Sequence, residues 1–114
     1  AANNKVYVAD PINSRIEVFD SNGKFLSKWA VSEWGKAMGY EDLAIDPDRG
    51  RLYASSAHLS AILVFDLQGN RLGTLTPTPP DKLDGPSALA LTKDKLLVLN
   101  TASARVSVIV LQNR

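Results

Sequence analysis

The strongest constraint on what this chain can fold into is that it repeats itself. A phrase of strand-forming residues begins at Lys5, returns 46 residues later at Arg51, and returns again 44 residues after that at Lys95. The three copies read KVYVADPINSRIEVFD, RLYASSAHLSAILVFD and KLLVLNTASARVSVIV. Self-similarity at a fixed period of about 40 to 50 residues indicates a repeat architecture in which each copy forms one supersecondary unit.

Each copy predicts strands that are buried on both faces. Apolar residues occupy both phases of the strand alternation in the segments 6–9, 52–55 and 96–99 and in the segments 16–19, 62–65 and 106–110. Only Glu17 and Ser107 interrupt one face of the second set. Strands that are apolar on both faces belong to a sheet that is covered on both sides. A blade packed between two other blades meets this requirement, so the period and the pattern together predict four-stranded blades of a β-propeller.

The turns predict how the strands are grouped. Asp20–Gly23 and Asp66–Gly69 occupy the same repeat position, and their glycines allow the positive φ that closes a short hairpin. Polar-interrupted outer strands are expected after these turns, and short inner strands are expected ahead of the second and third copies. The predicted fold is all-β, with about ten antiparallel strands in three blades (3+4+3) of an incomplete ring, in a single domain of residues 1–114 with blade segments of roughly 1–29, 43–75 and 87–114.

The first copy resembles the NHL repeat. The residues that carry the resemblance are Val6-Tyr-Val-Ala-Asp10, Asn13-Ser-Arg-Ile16, Val18-Phe-Asp20 and Gly23-Lys-Phe-Leu26. The second copy keeps the apolar framework but has Ser56 and Ala61 at the Asp and Arg positions, and the third copy lacks the glycine turn. NHL proteins are typically six-bladed propellers, so the resemblance implies two and a half to three blades, about half a ring.

An open stack of blades leaves one apolar sheet face uncovered at each end. Such patches exceed what soluble monomers normally expose, and repeat proteins without capping units tend to be insoluble. Three arrangements would cover these end faces. They are a head-to-tail homo-oligomer, a companion chain or missing segment that supplies the other blades, or a larger protein of which this chain is a fragment. We expect assembly through these faces, with protein as the partner.

Composition narrows the classes of partner. The chain is 45% hydrophobic and 22% charged, an ordinary balance for a globular protein, and its formal net charge is +1. This charge gives no electrostatic reason to expect nucleic acid or an anionic membrane as a partner, and no apolar run reaches the roughly 20 residues that span a bilayer. The absence of cysteine excludes disulfides and thiolate chemistry. On the NHL resemblance alone we expect an extracytoplasmic (secreted or periplasmic) location.

Arg15 and Arg105 share one repeat position, just before the third strand of a blade. As a functional pair they would hold a carboxylate or phosphate by bidentate hydrogen bonds near the loop-bearing end. As a structural pair they would bind carbonyls or acidic groups of the neighbouring blade, with Asp10 as a candidate partner.

Trp34, Met38 and Tyr40 lie close together in the predicted loop between the first two blades. Aromatic side chains in such a loop are typical anchors of a binding surface. The alternative is that they cover the ends of the blades as a small local core.

His58 is the single histidine of the chain and lies in a predicted loop. A zinc or catalytic role requires companions that one histidine and no cysteine do not supply, so a surface-loop role is the simpler interpretation. Asp42, Asp46 and Asp48 could suggest calcium, but Asp46–Gly50 also has the composition of a hairpin turn. We therefore expect no metal, no cofactor and no catalytic residue.

These observations predict a non-enzymatic NHL-type scaffold that completes a ring by self-assembly or with another chain and mediates protein–protein interaction. Its candidate binding residues are Asp10, Arg15, Trp34, Met38, Tyr40, His58 and Arg105. One alternative is part of a six-bladed propeller enzyme, lactonase- or amidating-lyase-like, with a metal in the central channel. Another is RNA binding through a basic loop face.

Overall fold

The computed structural model describes residues 4–36 and 39–112 and places ten strands in three antiparallel sheets. Within these residues there is no α-helix, and none of the short helical turns could cross a membrane. The all-β prediction and the 3+4+3 grouping are confirmed. The strands are β1 (Lys5–Asp10), β2 (Arg15–Asp20), β3 (Phe25–Ala30), β4 (Leu43–Asp46), β5 (Arg51–Ser56), β6 (Ala61–Asp66), β7 (Arg71–Leu75), β8 (Pro86–Leu91), β9 (Lys95–Asn100) and β10 (Arg105–Val110).

Each sheet is a meander of neighbouring strands. We call the three sheets blades 1, 2 and 3 in chain order. Blade 1 is β1-β2-β3, blade 2 is β4-β5-β6-β7, and blade 3 is β8-β9-β10. β4 and β8 lie next to one another, which places them on the inner side of the stack. Blade 1 therefore has no strand in the inner position, and blade 3 has none in the outer position, among the described residues.

The hairpin before each outer strand is closed by an aspartate. The Asp20 carboxylate accepts the backbone N–H groups of Asn22 and Lys24, both at 2.9 Å. Asp66 accepts those of Gln68 and Asn70 at the same distances. These bonds, with the Asn70 side chain as the largest cause, lower the pKa of Asp66 because they favour its ionised form.

The blades stack with a fixed orientation. We call the face of each sheet that carries Tyr7, Tyr53 or Leu97 its forward face, and the opposite face, with Val6, Leu52 or Leu96, its rear face. The strand registers keep this alternation through all three blades. Forward-face residues of blade 1 pack on rear-face residues of blade 2, and the buried members of this core are Ile16, Val31, Trp34, Leu52, Ala54, Leu63 and Phe65.

A second core joins blades 2 and 3 by the same rule. Its buried residues are Tyr53, Ile62, Val64, Leu83, Leu96, Val98, Ile109 and Leu111. Blade 2 is thus covered on both faces, which explains why β5 and β6 are buried almost throughout. The strands with apolar residues in both phases are therefore explained by burial between two sheets.

One end of the stack carries the β1–β2, β5–β6 and β9–β10 loops together with the inter-blade loops. In the first set the last residue adopts a left-handed conformation in every blade, at Ser14, Ser60 and Ala104, with φ of 55°, 50° and 52°. The backbone N–H of Val31 donates to the Ser14 carbonyl at 2.8 Å, which ties the two kinds of loop together. We call this the loop end of the molecule.

Candidate functional site

Asp10 and Arg15, both proposed from the sequence, meet at the loop end of blade 1. The Arg15 guanidinium binds the Asp10 carboxylate at 3.0 Å and the Glu17 carboxylate at 2.7 Å. Asn13 donates to both oxygens of Asp10 at 3.1 Å, and this bond, ahead of those from Arg15, lowers the pKa of Asp10. The arginine is therefore held between two carboxylates of its own blade and lies on the rear face.

Arg105 occupies the same position in blade 3 but binds a different partner. Its guanidinium contacts the Asp81 carboxylate at 2.6 Å and the Ser107 hydroxyl at 3.1 Å, and it also donates to the Lys82 carbonyl. Hydrogen bonding from Ser107, then from Arg105, lowers the pKa of Asp81. Both arginines therefore make structural contacts, but not to the neighbouring blade as the sequence suggested: Arg15 binds carboxylates of its own blade, and Arg105 binds the loop between blades 2 and 3. The two are not brought together at one site.

Trp34 does not offer a surface to a partner in this structure. Its side chain is 1% exposed, and the indole Nε1 donates to the Ser55 carbonyl at 2.8 Å. This is the small local core that the sequence offered as the alternative, formed between blades 1 and 2. Met38 lies outside the described residues, whereas Tyr40 is 42% exposed at the loop end.

His58 is exposed in the loop between β5 and β6. Asp46 is buried, where it accepts the Arg49 backbone N–H at 3.2 Å and pairs with the Arg49 guanidinium at 2.9 Å. The carboxylate therefore closes the β4–β5 turn. Among residues 4–36 and 39–112 no group of three or more His, Cys, Asp or Glu side chains could hold a metal ion.

The forward face of blade 3 is an uncovered apolar surface. Leu99, Val106 and Val108 are 40%, 57% and 46% exposed there. A shallow groove of about 240 Å³ crosses this face, lined by Ala88, Leu89, Ala90, Leu97, Leu99 and Val106. The equivalent residues of blades 1 and 2, such as Ile16 and Ile62, are fully buried by the next sheet. Leu99, Val106 and Val108 are therefore exposed at positions that, in blades 1 and 2, are buried in an interface with the next blade.

A cavity of about 200 Å³ opens at the outer end of the seam between blades 2 and 3, and sequence reasoning missed it. Its lining residues are Arg49, Arg51, Tyr53, Val64, Leu75, Val110, Leu111 and Gln112. Tyr53 is 3% exposed; burial, together with the nearby Asp46 charge, raises its pKa to about 12. Its hydroxyl donates to Asp46 at 3.3 Å. We call this the seam cavity.

Comparison with known proteins identifies the fold. No family model matches the chain, and no curated protein matches it. Among solved structures, BamB from Moraxella catarrhalis superposes with a TM-score of 0.66 at 13% sequence identity, over 95% of this chain and 29% of the BamB chain. The chain thus spans less than a third of that protein, and the likeness shows a β-propeller fold. The NHL resemblance stays a prediction from the sequence.

Proposed function

We propose that this chain is an NHL-type propeller scaffold that binds protein, and that its principal contact is between the forward face of blade 3 and the rear face of blade 1 in a second copy. The observation that carries the proposal is the repetition of the inter-blade contact. Twice within the chain, a forward face with apolar residues packs on the rear face of the next blade. The forward face of blade 3 has the same kind of residues and no sheet on it among those described.

The rear face of blade 1 is a suitable counterpart. Val6 and Val8 are exposed on it, and Phe19 and Phe25 pack edge to face beside them with ring centroids 5.8 Å apart. Val6, Val8 and Phe19 correspond to Leu52, Ala54 and Phe65 of blade 2, which are buried against blade 1. Burying apolar surface of this kind contributes about 25 cal/mol for each Å² removed from water. The same head-to-tail contact continues the stack toward a ring.

The loop end is the second part of the proposed binding surface. It displays exposed apolar side chains at Ile12, Tyr40 and Leu59, next to the exposed His58. Loops on a rigid sheet scaffold commonly carry binding residues because they vary without disturbing the core. In this proposal Asp10, Arg15 and Arg105 shape the loop end, and an extracytoplasmic location follows from the NHL resemblance.

Sedimentation analysis of the purified chain at tens of micromolar tests the main contact. We expect association, and we expect Val108→Lys to reduce it by placing a charge at the centre of the forward face of blade 3. Gln68→Lys, which adds the same charge at the exposed β6–β7 turn of the middle blade, is the control and should leave self-association unchanged. A wild-type chain that stays monomeric, or a Val108→Lys variant that associates like the wild type, would contradict the proposed contact.

A further inference from the structure

The seam cavity combines apolar walls with a charged mouth. Val64, Leu75, Val110 and Leu111 supply the apolar surface, and Arg49 and Arg51 line the same space beside the Tyr53 ring. Binding sites for small molecules are usually of this kind, with mostly apolar walls and a few polar groups that fix orientation. An apolar cavity of about 150 Å³ accepts a benzene ring, so the volume of about 200 Å³ here is sufficient for one ring and a short substituent.

The cavity exists because one side chain is smaller than its repeat equivalent. In blade 1, Trp29 is the cross-strand neighbour of Ile16. Leu75 is the cross-strand neighbour of Ile62 at the same position in blade 2. In the first seam the Trp29 indole fills the space, with its ring centroid 5.9 Å from that of Phe65 and 6.4 Å from that of Tyr7. The isobutyl group of Leu75 fills less of the second seam. The space left open is therefore one in which this fold already accommodates an aromatic ring.

The two arginines at the cavity differ in whether a carboxylate pairs with the guanidinium. The Arg49 guanidinium pairs with Asp46 at 2.9 Å and donates to the carbonyls of Lys93 and Gln112. Arg51 is half-buried and donates to the Arg49 carbonyl at 3.0 Å, and no carboxylate of the described residues lies within 4 Å of its guanidinium. A guanidinium with free donors is well suited to a carboxylate, which it can bind by two parallel hydrogen bonds.

We propose that the seam cavity binds a small organic carboxylate that carries one aromatic group. The ring occupies the volume left by Leu75, and the carboxylate pairs with Arg51. The neutral Tyr53 phenol forms part of the wall. This site lies in the seam between blades 2 and 3, on the other side of blade 3 from the proposed contact and away from the loop end, and its argument does not rest on the proposed assembly.

Titration calorimetry with 3-(indol-3-yl)propionate tests the proposal. We expect millimolar or tighter binding of this acid. Its neutral amide should bind about tenfold more weakly because it cannot pair with the guanidinium. Propionate, which lacks the ring, should show no measurable binding. Raising the salt concentration should weaken the acid more than the amide, because salt screens the charge pair.

Two variants separate the charge from the cavity. Arg51→Gln should remove the difference between the acid and the amide. Leu75→Trp should abolish binding of both while keeping or raising the melting temperature, since it fills the space as Trp29 does in the first seam. Lys24→Gln removes an equal charge at an exposed turn and should bind like the wild type. Absence of acid binding, equal binding of the acid and the amide by the wild type, or unchanged binding by Leu75→Trp would each overturn the proposal.

Discussion

The indole ring of Trp29 in β3 lies directly against the backbone of Gly69 in the turn between β6 and β7. A Cβ atom built on Gly69 would be 2.6 Å from Cδ2 of the ring, a distance at which one of the two must move. Gly69 also has a φ of +96°, which disfavours any residue with a side chain. Gly23 has the same place in the blade 1 turn, with a φ of +87°, but a Cβ there would have no atom within 4 Å.

This pair of glycines predicts two different costs for the same substitution. Gly23→Ala introduces only the strain of a Cβ atom at positive φ, which we expect to lower the free energy of unfolding by about 1 kcal/mol. Gly69→Ala introduces the same strain and also displaces Trp29 from a packed seam, so we expect it to lower the free energy of unfolding by about 3 kcal/mol in total. Urea denaturation of both variants measures the difference. Equal losses in the two variants would show that the Trp29 contact does not constrain the turn.

Ala104 adopts a left-handed conformation with no side-chain group to stabilise it. Its φ is 52°, and alanine in this region is strained because Cβ approaches the backbone. We expect Ala104→Gly to raise the free energy of unfolding by about 0.5 kcal/mol, the relief of strain being partly offset by the greater entropy of the unfolded chain. Ala57→Gly, in the loop before β6 where φ is not positive, should lower it. Thermal melting of the two variants in opposite directions is the expected result, and a loss in both would contradict it.

The fold could be predicted from the sequence because the constraints on it are local. Apolar residues in both phases of β5 and β6 require a sheet on each side, and the Asp66–Gly69 turn fixes the register of the outer strand. These features repeat with the blade, so each copy supports the assignment of the others. The radial order of strands follows from the short strands ahead of the second and third copies and the polar-interrupted strands after the glycine turns.

Most contacts of the candidate site depend on loops that do not repeat, and these could not be predicted. Asp10 was a candidate partner of Arg15 from the sequence, but Arg105 faces Asn100 at the equivalent position and binds Asp81 in the inter-blade loop instead. Trp34 was proposed as an exposed anchor or as a local core residue, and only the packing of blade 1 on blade 2 selects the second. The seam cavity arises from comparing Leu75 with Trp29, which requires the strand registers across a β-bulge in each blade.

Arg49 connects blade 2 to blade 3. Its side chain and that of Asp46 are 12% and 5% exposed, and its guanidinium also binds carbonyls of Lys93 and Gln112. Arg49→Ala leaves the Asp46 charge buried without its counter-ion, and we expect a loss of about 3 kcal/mol in the free energy of unfolding. Amide hydrogen exchange should accelerate in β9 and β10, which the arginine holds to blade 2.

A double variant and an exposed pair serve as controls for Arg49. Asp46→Asn with Arg49→Met removes both charges and should cost less than Arg49→Ala alone, because no uncompensated charge is left buried. Lys95→Ala breaks an exposed pair with Asp94 at 3.9 Å and should change stability by about 0.5 kcal/mol or less. A double variant that is less stable than Arg49→Ala would show that the unpaired Asp46 charge is not what destabilises Arg49→Ala.

Tyr53 and Tyr7 occupy the same repeat position but differ in their hydrogen bonds. The Tyr53 hydroxyl donates to Asp46, whereas the Tyr7 hydroxyl is buried without a partner among the described residues. At pH 8 we therefore expect Tyr53→Phe to lower the free energy of unfolding by about 1 kcal/mol and Tyr7→Phe to leave it unchanged or slightly higher.

Alkaline pH should cancel the effect of Tyr53→Phe. The pKa of Tyr53 is raised from its ordinary value of 10.0 to about 12, so the folded state holds the proton more tightly than the unfolded chain does. Its stabilising contribution is fully present below pH 10 and is lost as pH rises toward 12, at up to about 1.4 kcal/mol per pH unit. Phenylalanine has no proton to lose, so the deficit of Tyr53→Phe should shrink and vanish near pH 11, about one unit above the ordinary tyrosine pKa. Urea denaturation of both proteins at pH 8 and pH 11 measures this, because the titration of every other group is common to the two. A deficit that stays constant between these pH values would show that the phenol keeps its ordinary pKa in the folded chain.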